Sequence, residues 1–188
     1  KPKFNVLPNV KACNEGLWQG TYDFSGHEDL VRSDASLVVS FHKTFDDAET
    51  DSNAILNPQN YTANASPTEI FVRIENETCF AITSFLLSTR NCAPVVYNYI
   101  SANNDGYNDD FFIKGLRDIF LNYELSVFNR WGKLIWTGYN YTPNWTGINN
   151  EGYIPASGFT SDGTYYYILE LNDPDYPEPL KGFLYYKK

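Results

Sequence analysis

Apolar and polar side chains alternate over several short segments in the first half of the chain. A period of two residues, with β-branched and aromatic side chains at the apolar positions, is typical of β-strands. The pattern predicts strands over residues 36–44 and 69–75, and over 79–87, where both faces are apolar as in a central strand. Residues 46–57 alone favour a short helix or an irregular crossover, ending before Pro58. About seven short strands in some 90 residues indicate a β-sandwich of the immunoglobulin type.

The second half of the chain continues this alternation. Predicted strands at 123–128 and 133–136 flank the turn Asn129-Arg-Trp-Gly132, so that they form a hairpin. A second hairpin joins 164–171 to 180–186 through a loop rich in proline and acidic residues. Such a loop is stiff and discourages pairing with another strand at the sheet edge.

Composition separates the two halves, because 13 of the 15 tyrosines lie from Tyr97 onward. We therefore predict an all-β chain of two tandem β-sandwich, immunoglobulin-like domains, residues 1–90 and 91–188. The start of the chain, Lys1-Pro-Lys3, has neither Met nor a signal peptide, and we expect the chain to be the C-terminal piece of a longer protein.

The charge balance excludes several classes of partner. Residues 1–90 carry 7 basic and 12 acidic side chains, residues 91–188 carry 7 and 11, and the net charge is −9. An acidic surface disfavours nucleic acid and adsorption to anionic lipid. No run approaches 18 apolar residues, so we predict no membrane-spanning helix.

Catalytic chemistry has few candidate residues in this chain. The only histidines are His27 and His42, and His42 lies within an alternating segment, where a structural histidine is more common. Acidic pairs such as Asp46-Asp47 are adjacent in sequence, so on a strand they would face opposite ways instead of converging on a substrate. We predict that the protein is not an enzyme.

The segment 101–112 is the one candidate metal site. With Gly106 at position 6 of a calcium-binding loop, Asn103, Asp105, the Tyr107 carbonyl and Asp109 fall at ligand positions 3, 5, 7 and 9. The first position is only a serine and the last is phenylalanine, so half of the pattern matches. The alternative is a tight turn in which Asn and Asp side chains bond the backbone and Gly106 has positive φ. Calcium is the only cofactor that the sequence suggests.

The aromatic residues of the second half allow two interpretations. They could form a platform for sugar stacking, or they could fill the core of a small domain, which we favour because large aromatics dominate buried area. We also expect Arg130 to lie over one of the rings as a cation–π contact. The residues concerned are Trp131, Trp136, Trp145, Tyr139 and Tyr141.

Five sequence blocks occur in order through the second half. They are Asn103-Asn-Asp-Gly-Tyr-Asn-Asp109 followed by Phe111, Phe128-Asn-Arg-Trp-Gly132, Trp145-Thr-Gly147, Asp162-Gly-Thr-Tyr-Tyr-Tyr167 and Lys181-Gly-Phe-Leu-Tyr-Tyr-Lys-Lys188. Together they resemble the gliding motility-associated C-terminal domain, the type B sorting domain of the Bacteroidetes type IX secretion system. The first half is similar to the immunoglobulin-like repeat that often precedes this domain in large surface adhesins, with cues at 44–48, 55–61, 70–76 and 79–87.

The resemblance implies a secretion and cell-surface targeting signal, on a protein such as a gliding adhesin. The implied partners are the type IX secretion translocon and a PorP-like outer-membrane β-barrel, and the implied route runs through the periplasm to the cell surface. The first domain would be a spacer. Carbohydrate-binding modules of a secreted polysaccharide-degrading enzyme are the alternative function.

Two exposed segments are our candidates for recognition by the translocon. A final basic strand could be gripped by edge pairing, with its lysines steering the encounter, although two terminal lysines are usually only a solvated end. The loop before Leu180 offers acidic side chains. The candidate residues are Asp173, Asp175, Lys181, Tyr185, Tyr186, Lys187 and Lys188.

The three cysteines fit no metal-binding spacing. In the oxidising exterior that the resemblance implies, Cys13 and Cys79 could lie at the edges of two strands and form a disulfide, or could stay reduced. Cys92, in the linker, would be left over from that pairing.

Overall fold

The computed structural model describes residues 1–188, which divide into two compact units, Lys1–Cys92 and Ala93–Lys188. Both are built almost wholly from β-strands, which confirms the prediction of two all-β domains. The helices of the chain are at most six residues long. Accordingly, none of them has the length and apolar character that crossing a membrane requires.

The first unit packs a four-stranded sheet against a two-stranded sheet. In the larger sheet the strand order is β1-β6-β5-β3, with β1 parallel to β6 and the other pairs antiparallel; β2 and β4 form the smaller sheet. The strands are β1 (Val10–Cys13), β2 (Gly20–Tyr22), β3 (Val38–His42), β4 (Tyr61–Ala63), β5 (Thr68–Glu75) and β6 (Phe80–Arg90). The first unit therefore contains six strands, whereas the sequence predicts about seven.

Alternation along β5 builds the core of this unit, because Ile70, Val72 and Ile74 are completely buried. Phe24 adds edge-on contacts with Phe41 and Phe85, at 5.2 and 5.4 Å between ring centroids. The central position predicted for β6 is confirmed by its two neighbouring strands. Its second face is only partly covered, and Leu86 there is 38 % exposed.

Three short helices connect these strands. The predicted helix is α2 (Phe45–Thr50), which starts where the Thr44 hydroxyl accepts a hydrogen bond from the Asp47 N–H. A 3-10 helix at Pro58–Asn60 follows it. The helix α1 (His27–Val31) was not predicted; it buries His27 and Val31 and has no side-chain cap.

The disulfide joins Cys13 to Cys92, not to Cys79, so the predicted pairing is wrong. The parallel alignment of β1 with β6 decides this, since it sets Cys13 opposite Arg90, two residues before Cys92. The Asn14 N–H also donates to the Arg90 carbonyl. Cys79 directly precedes the other end of the 11-residue strand β6 and is a free thiol.

The second unit also packs a large sheet, of strand order β11-β10-β12-β13-β8, with a two-stranded sheet, β7-β9. Both predicted hairpins, β10–β11 and β12–β13, are present. The strands are β7 (Val95–Val96), β8 (Tyr99–Ser101), β9 (Ile113–Lys114), β10 (Glu124–Phe128), β11 (Leu134–Tyr139), β12 (Gly163–Glu170) and β13 (Leu180–Lys187).

Aromatic rings form the centre of the second unit. Trp145 is 1 % exposed and contacts Tyr165 and Tyr186, at 5.3 and 5.5 Å between centroids. Such contacts add directional attraction to a large buried apolar area. Two of the buried tyrosines need a glycine beside them: Tyr186 lies against Gly147 and Tyr167 against Gly182.

Candidate recognition surface on the last strand

Strand β13 divides its side chains cleanly between core and surface. Leu184 and Tyr186 are completely buried, whereas Phe183 and Tyr185 are 57 % and 43 % exposed and Lys187 is also exposed. The expectation that Tyr186 is a recognition residue is therefore wrong for the folded domain. Neighbours on a strand point to opposite faces, so Tyr185 and Tyr186 cannot both be presented to a partner.

The edge of β13 is also less open than expected. Its end pairs with β8 in parallel: the Tyr185 N–H donates to the Asn98 carbonyl, and the Lys187 carbonyl accepts from the Ala102 N–H. Only the beginning of the strand lacks a neighbour on that side, because β8 reaches back no further than Tyr99. Edge pairing with the terminal residues would thus have to displace β8.

The exposed face at the end of β13 combines aromatic and cationic groups. The rings of Tyr185 and Tyr99 are stacked at 6.1 Å and 7°. Lys188 is held to the domain, since its backbone N–H donates to the Asp162 carboxylate at 3.0 Å and its ammonium lies 3.7 Å from the centroid of the Phe159 ring. The last residue is therefore not simply a solvated end.

The two acidic candidates in the loop before β13 have different environments. Asp173 is half-buried, and its carboxylate accepts a hydrogen bond from the Asp175 N–H at 2.9 Å, which shapes the turn. Tyr176 anchors this turn, because its ring packs edge-on against Phe120 at 5.8 Å. Asp175 is exposed, so of the two carboxylates it is the one more available to a partner.

Side chains of the 101–112 segment bond its own backbone. The Asp109 carboxylate accepts from the Asn104 and Gly106 N–H groups at 2.7 and 2.8 Å, and Asp105 accepts from the Tyr107 N–H at 2.8 Å. Asn103 accepts from the Asp105 N–H, and φ of Gly106 is +88°. These are the turns of the alternative interpretation, and no three acidic, His or Cys side chains converge there. Calcium binding stays the second, untested interpretation.

Some of the aromatic residues that could belong to the core or to a sugar-binding surface are buried, and others are exposed. Trp136 and Trp145 are buried, as favoured, but Trp131 and Tyr141 are 78 % and 86 % exposed, so the core interpretation is wrong for these two. Trp131 extends from the turn instead of covering the sandwich. The expected cation–π contact is confirmed, because the Arg130 guanidinium lies 4.8 Å from the centroid of the Trp131 ring.

Comparison with known families assigns both domains. Residues 95–186 match the family described as the CHU_C Type IX secretion signal domain. The second domain is a type IX secretion signal domain. Residues 9–94 match the Flavobacterium inter-domain disulphide bond domain family, which precedes it here. A secretion signal is a non-catalytic kind of domain, and it implies a secreted protein targeted to the cell surface.

Solved structures show only distant similarity to the chain. A chimeric titin Z1Z2-Z1Z2 tandem aligns with 14 % identity over 100 % of this chain and 98 % of that one, with a TM-score of 0.27. Sidekick-1 immunoglobulin domains 1–5 align with 10 % identity over 99 % of this chain and 40 % of theirs, with a TM-score of 0.25. No curated protein matches the chain.

Proposed function

We propose that the chain belongs to a gliding adhesin whose type IX secretion signal domain is recognised through the outward face of β13. The partners are the type IX translocon and a PorP-like outer-membrane β-barrel. The recognition residues are Lys181, Tyr185, Lys187 and Lys188, together with the carboxylates of Asp173 and Asp175. The first domain, with its internal disulfide, serves as a spacer suited to an oxidising exterior.

The observation that carries this proposal is the alternation along β13. Leu184 and Tyr186 fill the core, so core packing does not determine which side chains stand on the other face of the strand. That face nevertheless carries an aromatic pair, Tyr185 on Tyr99, and two lysines without ion-pair partners. Exposed aromatic and cationic groups suit recognition, since aromatics supply contact area and charges steer the encounter.

The alternation also dictates how the proposal is tested. Deleting Tyr185–Lys188 would remove the buried Tyr186 ring, so a loss of export could reflect unfolding alone. Substitutions on the outward face avoid this ambiguity. The variants are Tyr185→Ala and the double change Lys181→Gln, Lys187→Gln, in the full chain fused behind a periplasmic reporter.

Export is measured as the fraction of reporter that external protease can reach in intact cells. We expect both variants to lower this fraction at least several-fold while melting near the parent protein. Tyr141→Ala is the matched control, because Tyr141 is 86 % exposed and follows β11, which is separated from β13 by two strands of the sheet. Normal display of both folded variants would refute recognition through this face.

Copurification tests the identity of the partner. An outer-membrane barrel crosslinked to the parent chain, and lost from the Tyr185→Ala chain, supports the PorP-like partner. Crosslinking to the translocon alone would refute that part of the proposal. Comparing reporters fused to residues 91–188 and to 1–188 tests the spacer role, since equal display means that the first domain is dispensable for export.

A further inference from the structure

A cleft lies behind the turn at residues 129–133 of the secretion signal domain, and of the proposed recognition residues only Lys188 lies beside it. Its volume is about 410 Å³, and the turn forms one side while residues 149–161 form the other. Trp131 and Tyr153, 78 % and 71 % exposed, stand at its rim, and Phe159 lines it as well. Packing does not account for these exposed rings, because neither is covered by the domain.

The cleft is cationic although the domain is acidic. Residues 91–188 carry 7 basic against 11 acidic side chains, yet no carboxylate lines the cleft, whereas Arg130 and Lys133 do. The ammonium of Lys188 lies over Phe159 on the same side. None of these three cations forms an ion pair, since the Arg–carboxylate pairs of the chain lie in the first domain. An anionic ligand would therefore meet Arg130 and Lys133 with no carboxylate already paired to either of them.

Hydrogen-bonding groups complete the lining. Asn149 is 6 % exposed at the cleft; its Nδ2 donates to the Tyr153 carbonyl at 3.0 Å, but its Oδ1 has no partner in the protein. A buried acceptor without a donor costs free energy that a bound hydroxyl can recover once the lining adjusts to admit it. Hydroxyl groups of Ser157, Thr160 and Thr164 also line the cleft.

We propose that this cleft binds an anionic saccharide. The flat face of a sugar ring would stack on Trp131, whose ring is already covered on one side by the Arg130 guanidinium. Arg130 and Lys133 would bind its acidic group, and the hydroxyl and amide side chains would bond its hydroxyls. An acidic peptide would use the cations but would leave the aromatic faces and the polar lining largely without a role, so a saccharide fits better.

Affinity electrophoresis of the full chain tests the proposal, with polygalacturonate and phosphorylated dextran as anionic probes and plain dextran as the neutral one. We expect retardation by at least one anionic probe, weakened by salt, and none by plain dextran. The Arg130→Gln, Lys133→Gln double variant and Trp131→Ala should each raise the apparent Kd at least tenfold.

Two control variants test whether binding depends on the cleft itself or on any exposed cation or aromatic ring of the protein. Lys114→Gln removes an exposed cation elsewhere, and Tyr141→Ala removes a ring that is 86 % exposed outside the cleft. Both should stay within twofold of the parent. Absence of retardation by both anionic probes, equal affinity of the cleft variants, or binding of poly-glutamate in preference to both saccharides would overturn the proposal.

Discussion

The ring of Tyr186 occupies the space that a side chain at position 147 would need. A Cβ built on Gly147 would lie 2.3 Å from the Cζ and Oη atoms of Tyr186, and φ of Gly147 is +91°. Two separate sequence blocks, Trp145-Thr-Gly147 and the last strand, are thus coupled through one contact. The glycine is needed both for its backbone conformation and for its missing side chain.

Gly147→Ala should therefore destabilise the secretion signal domain strongly. Left-handed backbone costs a non-glycine residue about 1–2 kcal/mol, and forcing an extra methyl into a packed core costs a further ~1–3 kcal/mol. Each kcal/mol corresponds to roughly 4–8 °C in a domain of this size. Scanning calorimetry of the full chain measures the shift.

Gly158→Ala is the control for the backbone part of this effect. Gly158 has φ of +76° but no atom within 4 Å of its would-be Cβ. Its variant should show only the smaller, conformational loss. Equal melting shifts for Gly147→Ala and Gly158→Ala would contradict the steric role of Tyr186.

Loss of the Cys13–Cys92 disulfide should destabilise the first domain. The bridge spans a sequence separation of 79 residues, and closing a loop of this length is worth about 4.5 kcal/mol in the chain-entropy model. Cys13→Ser and Cys92→Ser should lower the urea midpoint by similar amounts, because either change removes the same bond. Peptide mapping under non-reducing conditions should recover the two cysteines in one linked fragment.

Cys79→Ser is the internal control, since Cys79 is a free thiol. Its urea midpoint should match that of the parent. A linked fragment containing Cys79, or a midpoint as low as those of the other two serine variants, would show that the pairing is different.

The turn at residues 103–109 should depend on Asp109. Its carboxylate receives two backbone N–H groups, from Asn104 and Gly106, so Asp109→Ala leaves both donors to solvent. We expect a loss of about 1 kcal/mol by analogy with helix caps, and little change for Asp118→Ala, at an exposed carboxylate elsewhere.

Melting the protein in calcium and in chelator distinguishes a metal site from a turn that is closed by its own side chains. Because the loop already uses its carboxylates as backbone acceptors, we expect the midpoint of the parent to be the same in calcium and in chelator. A midpoint that calcium raises in the parent but not in Asp109→Ala would instead establish a metal site.

The stability of the first domain should depend on pH through Asp47. Hydrogen bonds from Asn53 at 2.7 Å and from Thr44 lower the pKa of Asp47 from its ordinary value of 3.8. A carboxyl with a lowered pKa stabilises the fold above its ordinary pKa, and this contribution disappears as the pH falls through the lower, folded value. Asp47→Asn should therefore melt below the parent at pH 7, and the difference should shrink in acid below pH 3.8.

Asp46→Asn is the matched control, because Asp46 occupies the same first turn of α2. Its melting difference should vary less with pH than that of Asp47→Asn. Parallel pH profiles for the two variants would show that helix charge, and not the hydrogen bonds of Asp47, sets the dependence.

Alternation of apolar residues was sufficient to predict the main strands and both hairpins of the second domain, because burial of one sheet face imposes a period of two. The same period places Tyr186 in the core, whereas its adjacency to Tyr185 and Lys187 suggests a shared surface; the burial of Tyr186 follows the period. The helix α1 carried no comparable signal, since five residues are too few to show a helical period.

Features that depend on contacts between distant segments were not predictable in this way. Cys13 meets Cys92 because β1 runs parallel to β6, and nothing within either strand specifies that pairing. The cleft beside Trp131 requires the path of residues 149–161, which has no repeating pattern. Nothing in the sequence around Asn149 therefore indicates that this residue is buried.

The disulfide also determines which part of the chain can carry a mechanical load. Tension applied upstream of Cys13 passes across the sulfur–sulfur bond to Cys92 and continues into the second domain, so the enclosed segment stays slack. Even if the first domain unfolded, the enclosed residues could not be pulled out, which withholds about 270 Å of contour length. Under an external pull the first domain would thus behave as a short inextensible link.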